Sequence, residues 1–293
     1  MMMDILSKIV LTNSKKLKYE EIFMLVFIIP VKSKKITNSW EILSKLVERC
    51  VKSACNQTSP NFRVVVVCNE RPNIQFQHPH LYYVEVDFPV PIYKETEQER
   101  LQGYEYAFHS KEITLKNADK SRKILTGIDF SQQFQPSHIM VVDSDDCVSK
   151  HLAEYVDKHQ DGDGWAFRKG YIYRENSKIL YMNTKTFNQT CGTSVIIKYA
   201  LHKRVFENPD WYDCTFNVLP GANIQPLPFV GAVYTIENGE NILANKKITS
   251  QILKTNLMQG IGSLIKKIFK YRLVFLSQSI ADEFGLYPCG GSN

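Results

Sequence analysis

Asp143, Asp145 and Asp146 fall inside HIMVVDSDDCVS, residues 138–149, directly behind an apolar run. Like charges this close repel one another, so a fold that gathers them needs a compensating partner. A hard divalent cation is one such partner: Mg²⁺ or Mn²⁺ takes one or two carboxylates and completes its shell with water and substrate phosphate oxygens. In extended backbone alternate residues face the same way, so Asp143 and Asp145 share a side while Ser144 points away. Asp146 either begins the following helix or turns back to support the site. The alternative is that the acids cap a helix starting near Ser149, where Asp and Ser are common.

Ligands of open α/β sheets bind beyond the carboxyl ends of the strands. The chain upstream has the pattern to build such a sheet. An apolar run at 23–31 leads into NSWEILSKLVERCVKSA (38–54), where Trp40, Leu43, Leu46, Val47, Val51 and Ala54 recur at helical spacing. FRVVVVCNE (62–70) is then a second continuous apolar run, LYYVEVDF (81–88) a third strand, and 94–130 helical in its proportions. Strands apolar on both faces are expected where helices cover a parallel sheet from both sides. Later segments are shorter: GWAFRKGYIYRE (164–175) and KILYMN (178–183) predict a hairpin, GTSVIIKYALHKRV (192–205) a strand or turn feeding a helix, and FVGAVYTI (229–236) a late strand. The tail from about 246 to 283 reads as helical.

Composition removes several function classes. With 293 residues and 44% apolar content the chain can build a proper core, so disorder is not the default. A net charge of +6 and a pI near 8.8 are mildly basic and diffuse, suited to a phosphorylated ligand and no argument for nucleic acid. Seven cysteines without a C-x-x-C pair speak against structural zinc and for a reducing compartment. IFMLVFIIPV (22–31) is about half the ~20 apolar residues of a membrane span, and no signal peptide is recognisable. A cytoplasmic chain is therefore expected.

FIIPVKS, SWEILSKLVERCVKSA, FRVVVVCNE, DKSRKILTGIDF and HIMVVDSDDCVSKHL, in that order, resemble the nucleotide-binding half of family 2 glycosyltransferases with the GT-A fold. The resemblance covers about residues 22–155 and extends less closely to about 245. It implies a mixed, mainly parallel central sheet flanked by helices, in a catalytic domain over 22–245 with a nucleotide-sugar half (22–155) and an acceptor half (156–245). An N-terminal arm (1–21) and a C-terminal helical appendage (246–293) complete the division. It also implies a nucleotide diphosphate sugar donor, with Asp143 near the ribose and metal and Asp145 on the ion bridging the phosphates. Pro30 and Val31 would lie by the nucleobase, and Asn69 and Glu70 stand where the family usually has paired aspartates. Lys120, Arg122 and Lys123 in DKSRKILTG offer cations to the donor, with Arg122 or Lys123 preferred, while Gly127 permits close helix packing; a solvated helix face is the alternative for any one of them.

On the acceptor side TCGTS (190–194) resembles the family's glycine turn, so Gly192 would let the backbone approach the sugar and Thr193 or Ser194 would bond a hydroxyl. Inverting transfer needs a carboxylate base. ENPDWYDCTF (207–216) offers Asp213, then Asp210, with Trp211 and Tyr212 as sugar-stacking faces. Asn238 stands where related sequences often carry a metal-binding His, though Asn-Gly is equally a tight-turn signal. IGSLIKKIFKYRLVFL (261–276) could form a basic amphipathic helix for peripheral contact with the inner face of a membrane, or one packed on the domain. The resulting expectation is a metal-dependent, inverting hexosyltransferase of polysaccharide biosynthesis, acting on a glycan or lipid-linked hydroxyl. The alternative is a degenerate relative that binds nucleotide-sugar or glycan without turnover.

Overall fold

The computed structural model describes residues 23–90, 111–159, 161–206, 221–241 and 271–289. Its centre is a seven-stranded sheet in the order β10-β6-β9-β4-β1-β2-β3, formed by β1 (Leu25–Pro30), β2 (Phe62–Cys68), β3 (Leu81–Glu85), β4 (His138–Val141), β6 (Gly164–Ala166), β9 (Val195–Lys198) and β10 (Ile224–Pro226). Only β9 runs against the others, pairing antiparallel with both β4 and β6. The expected mixed, mainly parallel sheet flanked by helices is therefore present.

The reason lies in the doubly apolar strands. Along β1, Leu25, Phe27 and Ile29 pack to one side with Leu43, Val47, Cys50 and Val51 of helix α1 (Trp40–Cys55). Val26 and Ile28 pack to the other with Ile124 and Ile128 of helix α2 (Lys111–Ser131). Burying each such side chain contributes about 1.5–3 kcal/mol, and only helices on both faces collect that gain from every residue. Helix α1 begins where the Ser39 hydroxyl accepts the Ile42 N–H at 3.3 Å. Helix α2 comes close to the sheet at Gly127, as expected: a Cβ there would sit 2.6 Å from Ile28 Cγ2 and 3.1 Å from Val67 Cγ2.

A second sheet of five strands has the order β12-β8-β7-β11-β5, from β5 (Cys147–Val148), β7 (Gly170–Arg174), β8 (Ile179–Asn183), β11 (Ala232–Ile236) and β12 (Tyr271–Phe275). Two expectations change here. The predicted hairpin is real for β7 and β8, but its first part breaks away as β6 and joins the large sheet. Residues 271–275, expected to continue a basic amphipathic helix, form a strand antiparallel to β8, with Leu273 and Phe275 exposed. YRLVF is rich in aromatic and branched residues that suit a strand, and pairing with β8 along all five residues decides it. Residues 261–270 of that segment lie outside the described residues, as does the N-terminal arm. The remaining helices are α3 (Leu152–Lys158), α4 (His202–Val205) and α5 (Gln278–Phe284). No described helix is long and apolar enough to cross a membrane.

Candidate functional site

The acidic residues occupy the passage between the two sheets. The main chain leaves the large sheet at β4, turns through Asp143–Asp146, and enters the small sheet at β5. The turn closes on itself through the Asp146 N–H, which donates to the Asp143 carbonyl at 2.9 Å.

Asp146 supports this turn from below. It is fully buried, and its carboxylate accepts the Thr193 hydroxyl at 2.6 Å, the Cys191 thiol at 3.3 Å and the Thr235 N–H at 2.9 Å. Burial, followed by the neighbouring Asp145 and Asp143 charges, pushes its carboxyl well above the usual range. Thr193 closes the brace by accepting the Asp143 N–H at 2.9 Å. The carboxylates therefore do not cap helix α3, whose N-cap is His151 with no side-chain bond. Thr193, expected to meet an acceptor hydroxyl, is fully buried and its hydroxyl is engaged on both sides. Its neighbours divide: Ser194 is buried, while Gly192 is partly exposed.

Arg49 braces the same turn from α1. The guanidinium is fully buried and bonds Glu175 at 3.0 and 3.3 Å, the Tyr287 carbonyl at 2.8 Å, the Thr235 hydroxyl at 3.2 Å and the Asp145 carbonyl at 3.2 Å. Nothing in the motifs pointed to it. The local sequence carries little signal for it, since its neighbours on the helix face are Lys45, Leu46, Lys52 and Ser53 and it reads as one more cation of a mixed face.

The two acids that could act on a ligand are partly exposed. Asp143 forms an ion pair with Lys120 of α2, both side chains partly buried. Asp145 accepts the Asn238 amide at 2.6 Å and the Asn241 amide at 2.9 Å on one oxygen. Burial, and then the Asp143 charge, pushes Asp145 up to about 6 from an ordinary 3.8. Tyr234 joins the group: its phenol is pushed upward by burial and then by Cys191 and the three carboxylates. Ser144 lies partly buried between the acids.

Asn238 sits in the turn after β11, where Glu237 (φ 57°) and Gly239 (φ 82°) take left-handed backbone. The chain bends sharply here, but Asn238 itself is not in the left-handed region that a two-residue Asn-Gly hairpin turn requires. Its amide oxygen accepts the Glu240 N–H at 2.9 Å and its nitrogen faces Asp145. Glu240 in turn fastens this turn to the connection between β1 and α1, pairing with Lys32 and accepting the Thr37 hydroxyl and the Ser39 N–H, each at 2.7 Å.

The other expected donor residues gather at the same carboxyl edge but are differently employed. Pro30 and Val31 are buried, and the Val31 N–H donates to Val67 at 2.8 Å. Glu70 accepts the Ser33 hydroxyl at 3.0 Å and the Lys34 N–H at 2.9 Å. Asn69 ties β2 to the chain beyond β3 by donating to the Val86 and Phe88 carbonyls at 3.3 and 3.1 Å. Of the α2 cations, Arg122 is on an exposed side and buried Lys123 pairs with Asp119 at 2.7 Å. Lys120, three residues earlier than the preferred Lys123, is the one that reaches the acids. Asp210, Trp211, Tyr212 and Asp213 lie outside the described residues.

The fit to a divalent ion is divided. Among the described residues no three His, Cys, Asp or Glu side chains form a metal-holding group. Two crowded carboxylates nonetheless suit a hard cation whose shell is completed by water and phosphate. Asn238 turns its amide nitrogen, not its oxygen, toward Asp145, the oxygen accepting the Glu240 N–H.

No protein-family model and no curated protein matches the chain. Among solved structures, residues 1–349 of S. aureus TarS align with a TM-score of 0.42 at 12% identity, over 88% of this chain and 74% of that one. The same TarS segment in complex with UDP-GlcNAc aligns at 0.42 and 14%, over 88% and 75%. The bifunctional IspDF of Campylobacter jejuni aligns at 0.33 and 12%, over 78% and 53%.

Proposed function

We propose that the chain is a GT-A-type glycosyltransferase that moves a hexose, with inversion, from a nucleotide diphosphate sugar to a hydroxyl of a glycan or lipid-linked acceptor. One observation carries this reading. Asp143 and Asp145 are partly exposed at the carboxyl end of a central parallel strand, on a turn braced from below by Asp146, Thr193 and Arg49. That is the edge at which open α/β sheets take ligands, and the bracing fixes the spacing of the two acids.

Asp143 and Asp145 would hold Mg²⁺ or Mn²⁺, and the bound ion supplies positive charge to the departing diphosphate. The rest falls to side chains of the protein. Lys120, now paired with Asp143, is a second cation that a phosphate oxygen can share. Asn238 and Asn241 hold the Asp145 carboxylate in one orientation through two amide bonds. Asp213, or Asp210 in its place, would take the proton of the acceptor hydroxyl, with Trp211 and Tyr212 against the sugar. Replacing Asp145 with Ala should abolish Mn²⁺-dependent donor hydrolysis and transfer while the circular dichroism spectrum is unchanged. Unaltered turnover in that variant ends the proposal.

A second reading is favoured by the internal partners of the acids. The Asn238 and Asn241 amides and the Lys120 ammonium satisfy Asp145 and Asp143 without an ion, as would suit a nucleotide-sugar-binding protein without turnover. Calorimetric donor binding with no product across a broad acceptor panel would select it.

A further inference from the structure

The carboxyl edge of the large sheet carries a second polar feature. Where β6 and β10 end, at Ala166 and Pro226, a pocket of about 210 Å³ is lined by Arg168, Lys185, Asn188 and Gln189, with the Ala166, Ile224 and Pro226 side chains on its apolar wall. It is smaller than the roughly 300–1,000 Å³ of sites that enclose drug-sized ligands, so a whole nucleotide-sugar does not fit. It suits a single charged unit.

Its position relates it to the acidic turn. Strand β6 pairs with β9 and β9 with β4, so two spacings of about 4.8 Å, near 10 Å in all, separate β6 from the strand that ends in the acids. The link is also covalent and hydrogen-bonded: the Phe167 N–H donates to the Ser194 carbonyl at 2.7 Å, and adjacent Thr193 holds Asp143.

Arg168 and Lys185 form no ion pair with a carboxylate among the described residues. Two cations facing one pocket repel unless an anion joins them. The loop that carries Lys185 and the amides is built in advance. Buried Asn183 accepts the N–H groups of Lys185 at 3.2 Å and Thr186 at 3.0 Å. Fully buried Phe187 packs so closely on Gly170 that a Cβ there would come within 2.3 Å of the ring. The Thr190 hydroxyl donates back to the Thr186 carbonyl at 3.2 Å. A loop ordered before binding loses little entropy when a ligand arrives.

We infer that this pocket is an acceptor subsite for an anionic group, a phosphate or carboxylate carried on a hydroxyl-bearing unit. The inference rests on the glycosyltransferase reading and deepens it by naming the acceptor class. Arg168 and Lys185 engage the anion by charge-assisted hydrogen bonds, and the exposed Gln189 amide meets a hydroxyl.

The test is calorimetric titration of the full chain, in buffer containing Mn²⁺, with glucose 6-phosphate, glucuronate and glucose, before and after adding a nucleoside diphosphate (UDP, GDP and dTDP in turn). It is repeated on the variant Arg168→Gln/Lys185→Gln, whose replaced side chains are both exposed. The expected result is binding of charged sugars and not of glucose, weakened at least about tenfold in the variant with nucleotide affinity kept. Binding of both charged sugars supports a general anion subsite, and binding of the phosphate alone supports a phosphorylated acceptor. Equal binding of glucose, undiminished binding in the variant, or a matching loss of nucleotide binding overturns the inference. Nucleotide binding without charged-sugar binding overturns the subsite alone. Charged-sugar binding without any nucleotide binding overturns the glycosyltransferase reading and the acceptor role with it.

Discussion

The acidic turn and the basic pocket lie on one edge of one sheet, yet they are constructed in opposite ways. At the turn, polar groups reach deep into the protein: Asp146 and Arg49 are fully buried, and even the partly exposed Asp143 and Asp145 have internal partners. At the pocket, the framework is neutral, with Phe187 seated on Gly170 and buried Asn183 holding the loop, and the charges stand outside it on exposed Arg168 and Lys185. The difference separates two tasks. A group that must keep a fixed spacing under repulsion needs a polar network beneath it. A group that only attracts an opposite charge needs a rigid stem and freedom at its tip.

The largest expected effect is at Arg49. Arg49→Ala leaves Glu175 buried without its cation and should lower unfolding stability by about 3–5 kcal/mol in urea titration. Adding Glu175→Leu to Arg49→Met should recover most of that loss; if it does not, the bonds to the Asp145 and Tyr287 carbonyls dominate the brace. Thr193→Val comes next, keeping the shape while removing bonds to Asp143 and Asp146. A loss of about 1–3 kcal/mol is expected, with donor turnover falling more than stability alone explains. A Thr193→Val protein of full activity would mean that the spacing of the acids does not depend on the network.

Asp145→Asn should act mainly on pH dependence. The folded pKa of about 6 lies above the ordinary 3.8, so the native state binds the extra proton between those values. Stability from this group is therefore complete below about 3.8 and is lost as pH rises through about 6. In metal-free buffer the variant should flatten that slope, measured by chemical denaturation from pH 4 to 7. The smallest effect belongs to the pocket: Arg168→Gln or Lys185→Gln alone should change stability by no more than about 0.5 kcal/mol. A larger change would show that these charges belong to the framework, and the contrast with the turn would fail.

Much of the large sheet could be read from the sequence because both faces of β1 and β2 are buried, and such burial writes continuous apolar runs. The Asp-x-Asp pair and Gly127 were legible for similar local reasons. Arg49 was not, because its partners Glu175 and Tyr287 are 126 and 238 residues away. The same holds for Thr193, whose role as a brace depends on Asp143 and Asp146 some 50 and 47 residues away. On α2, the choice among Lys120, Arg122 and Lys123 depends on which side of the helix faces β4, and mixed charge along the helix hides that side. Strand β12 was not legible since YRLVF, with one polar residue in five, shows no strand period and finds its partner only when β8 is in place beside it.

The acids occupy the short crossing from β4 to β5, with residues 142–146 as its whole length. So brief a crossing leaves the backbone little slack: the Cα positions of the two acids cannot move far apart unless the two sheets shift against each other. Any ligand that prefers one carboxylate separation thus acts as a clamp across the seam between β4 and β5, an edge strand of the smaller sheet.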